Sequence, residues 1–105
     1  MGNINVWEDP EPGVRRKIFE PGNGIMMMEV HFEENSIGKT HSHIHEQLTY
    51  CLEGLVEFTV DGVTRTISAG EAIYIPSGAL HGCRALKASK LLDAFTPVRQ
   101  DLINR

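Results

Sequence analysis

Turn signals punctuate this chain, and no convincing amphipathic helix runs between them. Glu20-Pro-Gly-Asn-Gly24, Glu53-Gly54, Asp61-Gly62, Ser68-Ala-Gly70 and Pro76-Ser-Gly78 each bring glycine or proline to a short polar stretch. Between them lie short apolar or alternating runs at Val14–Phe19, Ile25–Phe32, Leu48–Leu52, Val56–Val60, Val63–Ile67, Ala72–Ile75, His81–Leu86 and Leu91–Phe95. Val56-Glu-Phe58-Thr-Val60 alternates as a half-buried strand does. Asp61-Gly62 then supplies the positive φ that a two-residue hairpin turn requires. Many short strands without an amphipathic helix predict an all-β sandwich or barrel, of which the double-sheet jelly roll is one form.

Ile25–Phe32 is apolar on both faces for half its length. Met26, Met28, Val30 and Phe32 share one face, and Ile25, Met27, Glu29 and His31 the other. Such a strand is buried on both sides or covered by a second subunit, and a homodimer is the expectation. Residues 1–13, rich in proline and acid, read as an N-terminal arm with Trp7 packed on the body. Glu33–Lys39 reads as a polar loop, and Thr96–Arg105 as a C-terminal tail with one helical turn.

A chain of 105 residues is expected to form one domain, residues 1–105. Its 10 Lys and Arg against 14 Asp and Glu give a net charge of −4, so a nucleic-acid partner is not expected. No apolar run reaches the ~20 residues of a membrane span, and the N-terminus lacks a secretory signal's pattern. Cys51 and Cys83 do not make a disulfide framework, and the simplest expectation is a reduced, cytoplasmic protein.

Three of the five histidines fall within His41-Ser-His43-Ile-His45-Glu46-Gln47. Residues two apart on a strand point the same way, so His41 and His43 aim two imidazoles into one space. If the fold brings His81 to them, His41, His43, Gln47 and His81 make a site for one divalent transition metal: nickel, zinc, manganese or iron. His45 shares their parity and is the alternative to Gln47. Glu46 has the opposite parity and is expected to act as a hydrogen-bond partner or surface charge. Cys51 and Cys83 share parity with Gln47 and His81, although a small buried thiol is the plainer expectation.

The two segments together resemble the signature motifs of the cupin family. The first reads His41-x-His43, three residues, Gln47, six residues, Gly54; the second places Gly70, Pro76, Gly78 and His81 at the family spacing. Gln47 stands where the family usually has Glu, Ala85 where it has a final Asn, and Gly38 lies closer to His41 than the family's pattern. The resemblance implies a cupin double-stranded β-helix, that is, a jelly-roll barrel.

His-Ser-His-x-His-Glu-Gln-x-x-Tyr-x-Leu-Glu-Gly from His41, with Leu92-Asp93-Ala-Phe95-Thr-Pro97-Val-Arg99-Gln-Asp101, is similar to the pectin-degradation cupins. These convert 4,5-unsaturated uronate monomers (galacturonate or glucuronate) into the linear 5-keto-4-deoxyuronate. The likeness covers about residues 35–101. It implies an enzyme for a small anionic sugar, with Asp93 as general acid or base, Arg99 as a clamp on the carboxylate and Phe95 packed on the sugar. Another cupin metalloenzyme, a dioxygenase or isomerase, and a non-enzymatic ligand-binding cupin are the rival expectations.

Overall fold

The computed structural model describes residues 2–103, and eight of its ten strands fall on the apolar or alternating runs of the sequence. They are β1 (Trp7–Glu11), β2 (Val14–Ile18), β3 (Met26–Phe32), β4 (Ile37–His41), β5 (Glu46–Glu53), β6 (Leu55–Val60), β7 (Val63–Ser68), β8 (Ala72–Ile75), β9 (His81–Ala85) and β10 (Ser89–Thr96). A six-stranded sheet runs β1-β2-β3-β10-β5-β8 and a four-stranded sheet β4-β9-β6-β7, with antiparallel pairing throughout. No helix among the described residues is long and apolar enough to cross a membrane.

The sheets pack face to face, as expected of a sandwich in which alternate residues point inward. Ile18, Val56, Ile67, Ile75, Leu91 and Phe95 are fully buried between them. Asp61 and Gly62 both adopt positive φ, 47° and 82°, which gives the β6–β7 hairpin its tight turn. Gly54 is required for a second reason. Its φ is +97°, and a Cβ there would lie 2.1 Å from Ser89 Oγ, the atom that accepts from Leu55 N.

Register sorts the inner face of the large sheet into rows. Gln47, Phe95 and Met26 lie side by side; next come Thr49, Asp93, Met28 and Ile18; then Cys51, Leu91, Val30 and Arg16. The outer face carries Met27, Ala94, Leu48 and Tyr74 in one such row, and Met27, Leu48 and Tyr74 are exposed.

Three expectations are corrected. Residues 7–11 are not a loose arm but an edge strand paired with β2. Glu33–Lys39 is not all loop, because β4 begins at Ile37 and pairs with β9. The C-terminal segment does not wind into a helix; Leu102 N and Ile103 N donate to Arg99 O and Gln100 O in successive turns. That segment is anchored, with Val98 and Arg99 buried and Leu102 O accepting from Asn3 Nδ2 at 2.8 Å. Residues 104 and 105 of the expected tail lie outside the described residues.

Candidate metal centre and adjoining cavity

His41 ends β4 in the small sheet, whereas Gln47 lies on β5 in the large one. The shared strand parity expected of His41, His43 and Gln47 therefore does not hold. The segment from His41 to Gln47 leaves one sheet and enters the other, with His43 on the connection. His81 opens β9, and its register partner on β4 is His41. The connection and the strand pair thus bring the rings together. One ring nitrogen from each of His41, His43 and His81 lies within 4.8 Å of the others.

The tautomers follow from the backbone. His41 Nδ1 lies 2.7 Å from Lys39 O, His43 Nδ1 3.0 Å from His45 O and His81 Nδ1 2.9 Å from Ala79 O. A carbonyl can only accept, so each Nδ1 carries a proton, and in a neutral ring each Nε2 then keeps its lone pair. His81 Nε2 is buried with no partner among the described residues. His43 Nε2 lies 3.1 Å from Gln47 Oε1, which places two acceptors face to face. A cation among these atoms resolves both features, so the residues fit the expected metal. Burial lowers the pKa of His43 and of His81, helped by the positive charge of Arg99 in each case. Neutral, coordinating imidazole is favoured accordingly.

A chain of hydrogen bonds fixes the amide. Thr49 Oγ1 donates to Asp93 Oδ1 at 2.6 Å, and its lone pair accepts from Gln47 Nε2 at 2.9 Å. Gln47 must then present Oε1 to the imidazoles. Thr49 was not singled out in the sequence, although it shares inward parity with Gln47 and Cys51.

Asp93 stands mid-strand on β10, buried, with β3 on one side and β5 on the other. Burial raises its pKa from 3.8 to about 6, while Thr49, Arg99 and Gln47 act in the opposite direction. An acid tuned there exchanges protons near neutrality. Phe95 is buried and meets the His43 ring edge-on at 5.7 Å between centroids. The Arg99 guanidinium sits 5.2 Å from the Phe95 ring centre. Its Nε and Nη2 donate to Asp101 at 3.3 and 2.6 Å, so one edge of the fork expected for substrate is held by the protein itself. That pairing holds the Asp101 carboxyl below its ordinary pKa.

These groups border one cavity of about 280 Å³, lined by His41, Gln47, His81, Asp93, Phe95 and Arg99 among others. Lys39, Glu11 and Arg16, which the sequence did not single out, line it too. His45 is absent from the imidazole cluster and faces a separate hollow with Pro97 and Asp101. Glu46 is exposed and accepts from Tyr74 OH. His31 lies away from the cavity, its ring tilted against Trp7 and its Nε2 2.5 Å from Glu29 Oε2. Cys51 is fully buried; Cys83 borders the cavity, but burial pushes its thiol up to about 12, too high for a thiolate at neutral pH.

Residues 28–95 match the family model described as the cupin domain. The pectin degradation protein KdgF of Dickeya dadantii is 35% identical over 99 residues, covering 92% of this chain and 90% of that protein. The structure of KdgF from a Halomonas species superposes with a TM-score of 0.86 at 36% identity, covering 90% of this chain and 88% of the other. An RmlC-like cupin from Shewanella frigidimarina gives a TM-score of 0.87 at 30% identity, with 92% and 87% covered. Fold, imidazole cluster and relatives agree that this chain belongs to the cupin family, alongside its pectin-degradation members.

Proposed function

We propose that this protein converts 4,5-unsaturated uronate monomers into the linear 5-keto-4-deoxyuronate. The observation that carries this reading is the Asp93–Thr49–Gln47 hydrogen-bonded chain, which turns Gln47 Oε1 toward His43 Nε2. It sets a proton-exchanging acid beside a cluster of neutral donors inside a cavity of monosaccharide size. A divalent metal held by His41, His43, Gln47 and His81 would supply Lewis-acid stabilisation of an oxyanion on the substrate.

The protein's own residues do the rest. Gln47 brings no charge where a Glu would, so the donor set keeps the site's full attraction for an anion. Arg99, steadied by Asp101 and Phe95, offers its remaining N–H groups to the substrate carboxylate. Phe95 packs against the ring and limits water. Asp93 moves the proton between the enol oxygen and carbon as the ring opens into the keto form.

The exposed row Met27–Leu48–Tyr74 supports a homodimer through the outer face of the large sheet. The free thiols Cys51 and Cys83 are consistent with the cytoplasm as its compartment.

The test is direct. Metal-loaded protein is mixed with monomer freshly released by a lyase, and the ultraviolet absorbance of the conjugated enol is followed against the spontaneous rate. Accelerated loss with the linear keto acid as product is expected. Tight binding of the monomer without acceleration would replace the enzyme by a ligand-binding cupin. Activity that demands a redox metal and oxygen would replace it by a dioxygenase.

A further inference from the structure

Arg16 stands on the inner face of β2, in line with buried Val14 and Ile18. Its row neighbours across the sheet are Val30 and Leu91, both apolar and buried. A guanidinium on such a face is costly unless its hydrogen-bonding capacity is met. Here it is met only in part. Nε donates to Glu8 Oε1 at 3.1 Å, and the side chain is 21% exposed. Neither terminal nitrogen of Arg16 has a protein acceptor among the described residues. Glu8 is itself fixed, since Asn3 Nδ2 reaches both of its carboxylate oxygens at 3.3 Å. The pair therefore holds the guanidinium in place while leaving its outer edge available.

That edge belongs to the cavity that contains His81, Asp93 and Arg99. The rows of the sheet give its position. Gln47 and Phe95 mark the imidazole end, Asp93 stands one row away, and Arg16 stands a further row along on a strand two removed from β10. Arg99 and Arg16 thus occupy opposite ends of one cavity, with the acid between them. A ligand anchored by its carboxylate at the Arg99 end turns its opposite side toward Arg16. In a 4,5-unsaturated uronate that side carries the C2 and C3 hydroxyls.

We propose that Arg16 is a specificity-determining residue whose terminal N–H groups donate to the ring hydroxyls of the uronate at the end opposite its carboxylate. This rests on the function proposed above. Glu8 is the positioning residue that presents it. The chemistry suits the task, because hydroxyl oxygens accept from a guanidinium whose charge is already balanced by Glu8.

The test compares two non-reacting carboxylates by calorimetric titration of the metal-loaded protein. Galacturonate carries the hydroxyls; tetrahydropyran-2-carboxylate keeps the ring and carboxylate without them. Arg16→Met should weaken galacturonate binding about tenfold or more, the worth of one to two charge-assisted bonds. Binding of the bare pyran acid should stay within twofold. Arg16→Lys keeps the Glu8 pair but loses the fork, and should give an intermediate loss for galacturonate alone. This second variant keeps the test open if Arg16→Met fails to fold. Equal weakening of both ligands would make Arg16 purely structural and overturn the proposal, as would unchanged galacturonate binding in both variants. Failure of the functional reading looks different: the wild-type protein would neither bind galacturonate nor accelerate loss of the unsaturated monomer.

Discussion

The two ends of the cavity's reactive surface are built by opposite means. The imidazole end rests on strand termini and a connection: His41 closes β4, His43 lies between sheets and His81 opens β9. The acid end rests on the middle of the sheet, where Asp93 has a strand on either side. His41 is exposed, whereas Asp93 is buried. The contrast teaches a division of labour. Groups at strand ends can admit and exchange a ligand with little disturbance of the ladders. A group in mid-sheet cannot move, and pays for its fixed place with a raised pKa.

The largest effect should come from breaking the imidazole end. His81→Ala removes the buried ring whose Nε2 has no partner among the described residues. Elemental analysis of untagged protein should show most of the bound metal lost, and turnover lost with it. Full occupancy in that variant would remove His81 from the centre.

Asp93→Asn tests the other end. It keeps the shape and the Thr49 contact but cannot exchange a proton. Metal content should hold while turnover of the unsaturated monomer falls by about 10²–10⁴-fold, the usual share of positioned proton transfer. A metal-loaded variant with normal turnover would return Asp93 to a structural part.

The same carboxyl should leave a mark on stability in chelator-treated protein. Its folded pKa of about 6 lies above the ordinary value of 3.8. Its contribution is therefore fully present below the lower value and is lost as pH rises through the upper one. The shift corresponds to about 3 kcal/mol at ~1.36 kcal/mol per pH unit. The stability of Asp93→Asn relative to wild type, measured by urea unfolding, should improve by an amount of that order between pH 4 and pH 8. A flat difference would mean that water or a neighbouring charge already relieves the burial.

The smallest effect sharpens the comparison at the lip of the cavity. Arg99→Lys keeps the charge but loses the planar fork held by Asp101 and stacked on Phe95. KM for the monomer should rise about tenfold with kcat little changed, consistent with loss of a single charge-assisted bond. A fall in kcat alone would move Arg99 from binding to chemistry.

Much of this was legible in the sequence because alternation and turn chemistry act locally. Met26, Met28, Val30 and Phe32 were read as one face, and all four are buried. The misses have physical causes. β1 was hidden by Pro10, which breaks a central strand but is tolerated on an edge, where its missing N–H leaves no ladder bond unmade. β4 was hidden because four of its five residues are exposed and it has no apolar alternation to show. Gly38 gave its one clue: a Cβ there would lie 2.8 Å from Cys83 Sγ, so the strand must run close against β9. The gathering of His41, His43 and His81 was visible only through motif spacing, since it depends on a crossing between sheets. Arg16 gave no signal, because it stands between Arg15 and Lys17 in Val14–Ile18, and a run of three cations looks like ordinary surface until the opposite wall is known.

The place of β10 in the large sheet bears on how the chain can fold during synthesis. It separates β3 from β5, and those two strands do not pair with one another. Until residues 89–96 leave the ribosome, both present open edges toward the same vacant slot. The sheet cannot close by growing outward from its early strands; its centre is filled after its flanks. Long-range pairing of this kind folds slowly and leaves unpaired edges exposed to other chains. The strand that delivers Asp93 is thus also the one whose arrival ends the period of greatest aggregation risk.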